Sequence, residues 1–184
     1  MGRLTITSML VFALLEASLA HATTVSRQSL EGLVSGSGRI VHGRVVRHWV
    51  AWDDTHRFLW THYSLRVFDT VKGAPSATFV ISEAGGAKDG FIMTVPGTVQ
   101  YADGEEVVVF LHSTPIGYWR TFGYSQGKFG VTGGKVLSAE PRVDLVDVSG
   151  GRKAGRTPLS KMSGKTLDEF KDLIRSMARR EASK

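Results

Sequence analysis

Residues 39–52 read RIVHGRVVRHWVAW, and residues 57–71 read RFLWTHYSLRVFDTV. Both stretches are rich in β-branched and aromatic residues, which pack well on a half-buried pleated surface. In the second stretch the odd positions from Leu59 to Val67 alternate with the even ones, and a period of two is typical of a strand. The polar residues 53–56 between the two stretches form a turn signal. We therefore predict a long β-hairpin at the centre of the fold.

Shorter strands follow the hairpin, separated by glycine-rich turns. They are predicted at residues 78–82, 91–95, 105–112, 117–124, 128–132 and 135–138. A short helix is predicted before the hairpin, with Ser26 as its cap and with Leu30, Leu33 and Val34 on one face. The continuous apolar run from 107 to 111 predicts a strand that is buried on both faces.

The last part of the chain changes character. Residues 149–163 are Gly-rich and basic and predict a linker. Residues 164–184 predict a basic amphipathic helix, since Thr166 and Glu169 have the spacing of a capping box. Its apolar positions are Leu167, Phe170, Leu173, Ile174 and Met177. Such a stripe usually packs on its own domain, so we expect the helix to dock.

The fold class that these elements predict is mainly β. Residues 23–148 are expected to form a small closed β-barrel of the OB type, with a short N-terminal helix and a C-terminal amphipathic α-helix. Closure is expected because it removes exposed strand edges.

Residues 1–22 have the order of parts found in a cleavable signal peptide. Arg3 is followed by a mainly apolar run over 4–15 and by Ala20-His21-Ala22, which offers small residues to a signal peptidase. We therefore expect a periplasmic or secreted protein that begins at Thr23. The mature chain is expected to have no transmembrane segment. The chain has no Cys, which excludes disulfides, thiol chemistry and cysteine-ligated metals.

The net charge of +6 is unevenly distributed. Residues 23–151 hold 12 basic and 12 acidic residues, whereas residues 152–184 hold 10 basic and 4 acidic residues. The basic helix is thus a candidate contact for an anionic surface, with a solvated helix face as the alternative. Because the body is neutral and export is expected, we predict no nucleic-acid partner.

Two groups of side chains are candidates for a binding site. The first could hold a divalent metal and comprises His48, Asp53, Asp54, His56 and His62 around the hairpin turn; a solvent-facing polar turn is the alternative. The second could stack on a ligand and comprises Trp52, Trp60, Tyr118 and Trp119; core packing is the alternative for at least two of the four tryptophans in the chain. For an exported protein, stacking favours a glycan or a peptide.

No motif assigns an enzymatic reaction. The serines lack a GxSxG elbow, and Glu105 and Glu106 are adjacent, so they point to opposite faces of a strand. We predict no catalytic residues, no cofactor and no enzymatic activity.

The order of the segments from about residue 30 to 132 resembles a known family. The segments are Ile40–Val46, Tyr63–Gly73, Phe79–Ile81, a Gly-rich loop and Gly104–Leu111, with Val95-Pro96-Gly97 and Gln126–Phe129 further along. They resemble the netrin-like domain of tissue inhibitors of metalloproteinases, an OB-type barrel, and a group of uncharacterised exported bacterial proteins. The resemblance implies the barrel and suggests protease inhibition. The inhibitors chelate the protease zinc through an N-terminal cysteine, which this chain lacks.

The sequence thus predicts an exported, non-enzymatic module that binds a protein, a peptide or a glycan. One alternative is a metalloprotease-inhibitor-like protein. The other is a divalent-metal-binding protein or a hydrolase that uses the hairpin from His48 to His62.

Overall fold

The computed structural model describes residues 24–138, 144–146 and 157–183. The expected signal peptide at 1–22 and most of the expected linker lie outside these residues. The strands are β1 (Thr24–Ser26), β2 (Arg39–Trp52), β3 (Leu59–Lys72), β4 (Thr78–Ala84), β5 (Gly86–Lys88), β6 (Phe91–Met93), β7 (Glu106–Ser113), β8 (Trp119–Thr121), β9 (Lys128–Thr132), β10 (Lys135–Ser138) and β11 (Asp144–Val146). The helices are α1 (Leu30–Gly36) and α2 (Leu167–Ala182), with 3₁₀ turns at Tyr124–Gly127 and Leu159–Met162.

One antiparallel sheet of seven strands organises the chain. Its hydrogen-bonded order is β10-β9-β7-β2-β3-β4, and β8 pairs with β7 beside β9. The pairs β1–β11 and β5–β6 form two small separate sheets. A mainly β fold with a C-terminal helix is therefore confirmed. The order of the described strands ends at β10 and at β4, so the closed barrel expected from the sequence is not found.

The central hairpin is bent because its pairing is irregular. The register between β2 and β3 shifts at Ile40/Val41, at His42/Gly43 and at Val45/Arg47, and such bulges bend a strand and increase its twist. At Gly43 an added Cβ would lie 2.5 Å from the backbone oxygen of Arg66, so only glycine fits between the two strands there.

The bent sheet has apolar residues on both faces. Strand β7 shows this, because Val108 and Phe110 belong to one core cluster while Val107 and Val109 belong to the other. The predicted burial of residues 107–111 on both faces is confirmed, since every residue from Val107 to Leu111 is 0% exposed. One cluster includes apolar residues of both helices, whereas the other consists of strand residues together with Val99 and Tyr101.

The N-terminal helix forms where it was expected, but its cap was wrongly predicted. Ser29, not Ser26, is the cap, and its Oγ accepts the backbone N–H of Gly32 at 3.1 Å. Ser26 instead lies in β1, where its carbonyl accepts the side-chain amide of Gln126. The predicted apolar face is confirmed, because Leu30 and its helical neighbours point into the core.

The C-terminal helix docks on the sheet, as expected. The capping box between Thr166 and Glu169 is present, and Phe170 and Ile174 are both 0% exposed. Part of the expected linker also packs, since Met162 is 2% exposed in the same cluster. No helix in the described part of the chain combines the length and the apolar character needed to cross a bilayer.

Strand boundaries differ most where the chain turns. The strand predicted at 117–124 is only Trp119–Thr121, because Gly123 and Tyr124 adopt φ values of 72° and 58° and begin a 3₁₀ turn. The strands predicted at 39–52, 128–132 and 135–138 agree with β2, β9 and β10.

Candidate functional site

The two strand edges β4 and β8 meet through a buried carboxylate. Glu83 is 1% exposed, and its carboxylate accepts the backbone N–H of Thr121 at 2.8 Å and Arg120 Nη2 at 3.3 Å. Burial raises the pKa of the Glu83 carboxyl, and the hydrogen bonds from Thr121 and the charge of Arg120 oppose that rise. A side chain therefore joins β4 to β8 at this point.

Beside this contact the two strands leave an open groove of about 390 Å³. It is lined by His62, Ser64, Thr78, Phe79, Val80, Ser82, Gly117, Tyr118 and Trp119. Three of these side chains carry hydroxyls on strands β3 and β4, and two carry aromatic rings on the opposite wall. The lining thus offers hydrogen-bonding groups and flat apolar surfaces to the same ligand.

His62 lies at the inner end of the groove. Its Nδ1 and Ser82 Oγ are 2.8 Å apart, its ring stacks on Trp49 at 5.2 Å, and the ring of Tyr118 meets it edge-on at 5.4 Å. Burial lowers the pKa of His62, so the imidazole is neutral at pH 7. A neutral imidazole has one nitrogen that donates and one that accepts a hydrogen bond.

Three of the four predicted stacking residues lie at or next to the groove. Tyr118 and Trp119 line it, and Trp60 packs edge-on against Tyr118 at 5.0 Å. Trp60 is 8% exposed, so core packing describes it better than ligand contact. Trp52 lies elsewhere, with its indole N–H donated to Asp89 and its ring against Phe91.

The histidines of the predicted metal site do not converge. His48 is opposite Tyr63 in the ladder and His62 is opposite Trp49, so the two histidines point to opposite faces of the hairpin. His48 Nδ1 instead lies 2.9 Å from Asp103 Oδ1. His56 stacks on Trp52 at the tip of the hairpin.

The aspartates of the predicted metal site belong to the turn. Asp53 accepts the backbone N–H groups of Arg57 and Phe58 and the hydroxyl of Thr55, and hydrogen bonding, first of all from Thr55, lowers the pKa of Asp53. Asp54 is exposed. Within 24–138, 144–146 and 157–183, no group of three or more His, Asp or Glu side chains is arranged to hold a metal ion.

Glu83 and Arg120 were not predicted from the sequence, and Ser82 was discounted because it lacks a GxSxG elbow. A single acidic residue near the end of the apolar strand TFVISEA was a usable signal for Glu83, because a buried carboxylate needs partners. Nothing local marks Ser82 or Arg120, since their partners are 20 and 37 residues away in the chain.

Comparisons of the chain with protein-family models, with curated proteins and with solved structures find no match.

Proposed function

We propose that this protein is an exported, non-enzymatic binding module, and that its ligand, a glycan or a peptide, lies in the groove between β4 and β8. The observation that carries the proposal is the composition of the groove walls. Ser64 and Thr78 provide hydroxyls for hydrogen bonding, whereas Tyr118 and Trp119 provide aromatic rings. Ligand sites combine apolar and aromatic surface with a few convergent polar groups in this way.

The position of the groove also supports binding. Small OB-type barrels bind extended ligands on a strand face. We also propose that this sheet is related to the OB fold. The bent hairpin and the approach of β4 to β8 at Glu83 are consistent with it. Export is part of the proposal as well and is supported by the sequence of residues 1–22.

Ligand binding in the groove is tested by intrinsic tryptophan fluorescence and by calorimetry on residues 23–184, with panels of oligosaccharides and peptides. Tyr118→Ala removes a ring from the groove wall and is expected to abolish the binding of any ligand found. Phe91→Ala is the matched control, since Phe91 is 62% exposed and lies with Trp52 away from the groove. Equal loss in both variants, or no ligand in either panel, contradicts the proposal.

A second candidate function is hydrolysis, and one contact favours it. The neutral imidazole of His62 lies 2.8 Å from the hydroxyl of Ser82, which is the spacing that a serine nucleophile and its general base require. Labelling by a fluorophosphonate probe tests this candidate. Labelling that disappears in Ser82→Ala supports a hydrolase, whereas an unlabelled wild-type protein leaves the binding module as the function.

A further inference from the structure

One face of the sheet carries a regular set of side chains next to the groove. Cross-strand neighbours on β2, β3 and β4 share this face, because directly opposite residues point to the same side of a sheet. From one end to the other, its four rows are Ala51, Trp60 and Ala84; Trp49, His62 and Ser82; Arg47, Ser64 and Val80; and Arg44, Arg66 and Thr78. Trp60 and Ala84 in the first row are buried, and all three residues in the row of Arg66 are exposed.

The exposed end of this face has an excess of positive charge. Arg44 and Arg66 lie directly opposite each other, an arrangement of like charges that destabilises a sheet. Glu106 pairs with Arg44 at 2.8 Å and with His42 at 2.9 Å, but not with Arg66. None of the described carboxylates forms an ion pair with Arg47 or Arg66.

Each of the two uncompensated arginines lies near an aromatic ring. The guanidinium of Arg47 lies 5.2 Å from the ring centroid of Trp49, and that of Arg66 lies 6.0 Å from that of Phe68. Stacking on a ring orients a guanidinium and leaves its N–H edge available. Both groups are therefore available to donate to an anion.

Both arginines border the groove. Arg47 is the direct neighbour of Ser64, and Arg66 is the direct neighbour of Thr78, and both Ser64 and Thr78 line the groove. A ligand in the groove thus reaches the two guanidinium groups without leaving the face. The planar fork of a guanidinium matches the oxygens of a carboxylate or a sulfate.

We propose that the ligand is an acidic oligosaccharide whose carboxylate or sulfate groups bind Arg47 and Arg66 while a sugar ring lies in the groove. This inference rests on the proposed function and names the ligand class for the same groove. Sugar hydroxyls pair with Ser64 and Thr78, and the sugar ring packs on the aromatic wall at Tyr118 and Trp119.

A nucleic acid fits the face less well. Bases bind by stacking on exposed aromatic faces, whereas on the basic part of this surface Arg47 already lies over Trp49, and Arg44 and Arg66 lie over Phe68. In the groove the rings of Tyr118 and Trp119 lie beside the hydroxyls of Ser64 and Thr78, which are partners for sugar hydroxyls.

The C-terminal helix, which the sequence suggested for anion contact, is a weaker candidate. Two of its basic residues, Lys171 and Arg175, both form ion pairs with Asp69 on β3. They attach the helix to the sheet, so part of the positive charge of α2 is neutralised by Asp69.

The test measures affinity for defined oligosaccharides by calorimetry on residues 23–184. The probes are a hexamer of galacturonate with carboxylates only, a sulfated dextran oligosaccharide with sulfates only, and cellohexaose as a neutral chain of similar length. We expect the acidic probes to bind more tightly than cellohexaose. Comparison of the two acidic probes identifies the preferred anion.

The matched variants each remove two positive charges. Arg47→Gln/Arg66→Gln is expected to weaken acidic-probe binding by about five- to tenfold per arginine, the effect of losing a charge-assisted hydrogen bond to the ligand. Arg179→Gln/Arg180→Gln, on the exposed end of α2, is expected to retain wild-type affinity. Thermal unfolding of both variants at the wild-type temperature ensures that any loss reflects binding.

The outcomes separate this inference from the proposed function. Equal binding of cellohexaose and of the acidic probes, unaffected by Arg47→Gln/Arg66→Gln, overturns the inference and retains the groove as a binding site. Binding of a poly-glutamate peptide or an oligothymidylate in preference to every oligosaccharide also overturns it. Failure of all these ligands to bind contradicts both proposals. An equal loss in the two double variants indicates non-specific attraction and overturns the inference.

Discussion

Replacing Glu83 by alanine is expected to destabilise the folded protein by about 2–3 kcal/mol. The carboxylate is 1% exposed and accepts the backbone N–H of Thr121 at 2.8 Å, and a buried donor left without its acceptor costs about 1–3 kcal/mol. Arg120 adds less to the loss, because its side chain is 25% exposed and regains water when its partner is removed. The total therefore lies below the 3–5 kcal/mol or so typical of a fully buried broken ion pair.

Glu83→Gln removes the negative charge of Glu83 but keeps an acceptor for the hydrogen bond from Thr121. The amide oxygen still accepts from Thr121, and the volume is nearly unchanged, so we expect this variant to lie within about 1 kcal/mol of the wild-type protein at pH 7. Glu181→Ala is the control for loss of an exposed carboxylate, since Glu181 pairs with Lys72 at the surface; we expect a change below about 1 kcal/mol. Urea unfolding followed by tryptophan fluorescence gives all three free energies of unfolding.

The pH dependence of the Glu83→Gln variant is a second expectation from the same contact. Burial raises the folded-state pKa of Glu83 above its ordinary value of 4.5, so above pH 4.5 the folded protein retains a proton that the unfolded chain has released. This carboxyl therefore contributes less to stability as the pH rises from about 4.5 through the raised pKa. The stability of Glu83→Gln relative to wild type should increase over that range.

Two results would refute the reasoning about Glu83. A Glu83→Ala variant within 0.5 kcal/mol or so of the wild-type protein would mean that the contact between β4 and β8 does not hold those edges together. A stability difference between Glu83→Gln and wild type that stays constant or shrinks with rising pH would mean that the carboxyl is not buried as described.

Further expectations concern the bend and the helix. Gly43→Ala is expected to lower the free energy of unfolding by about 1–3 kcal/mol through overpacking, because its Cβ would lie 2.5 Å from the carbonyl oxygen of Arg66. Gly130→Ala in β9 is the control, since its Cβ would meet no atom within 4 Å. Urea unfolding should therefore show a larger loss for Gly43→Ala than for Gly130→Ala. Phe170→Ala is expected to cost about 3–5 kcal/mol, because its ring is 0% exposed and lies 4.7 Å from that of Phe129. A loss below about 1 kcal/mol in the thermal unfolding of that variant would contradict docking of α2.

The hairpin was predictable because its information is local. Residues 39–52 form a strand with the predicted limits, since β-branched and aromatic residues repeat over that whole length. The residue that caps the N-terminal helix was not predictable in this way, because Ser26 and Ser29 are equally good caps in sequence. The choice between them depends on the contacts of β1. The candidate metal ligands do not converge for a similar reason, since the cross-strand register places His48 and His62 on opposite faces.

The sequence by itself determined the period of each strand, the apolar stripe of α2 and its capping box, because these depend on residues a few positions apart. The tertiary structure decided which strand edges meet. Glu83 on β4 accepts a hydrogen bond from Thr121 on β8, although the two residues are 38 positions apart in the chain. The tertiary structure also decided which side chains share a surface. Arg47 and Arg66 border the same groove because bulges and register place β2, β3 and β4 side by side, and register is a property of paired strands rather than of any one of them.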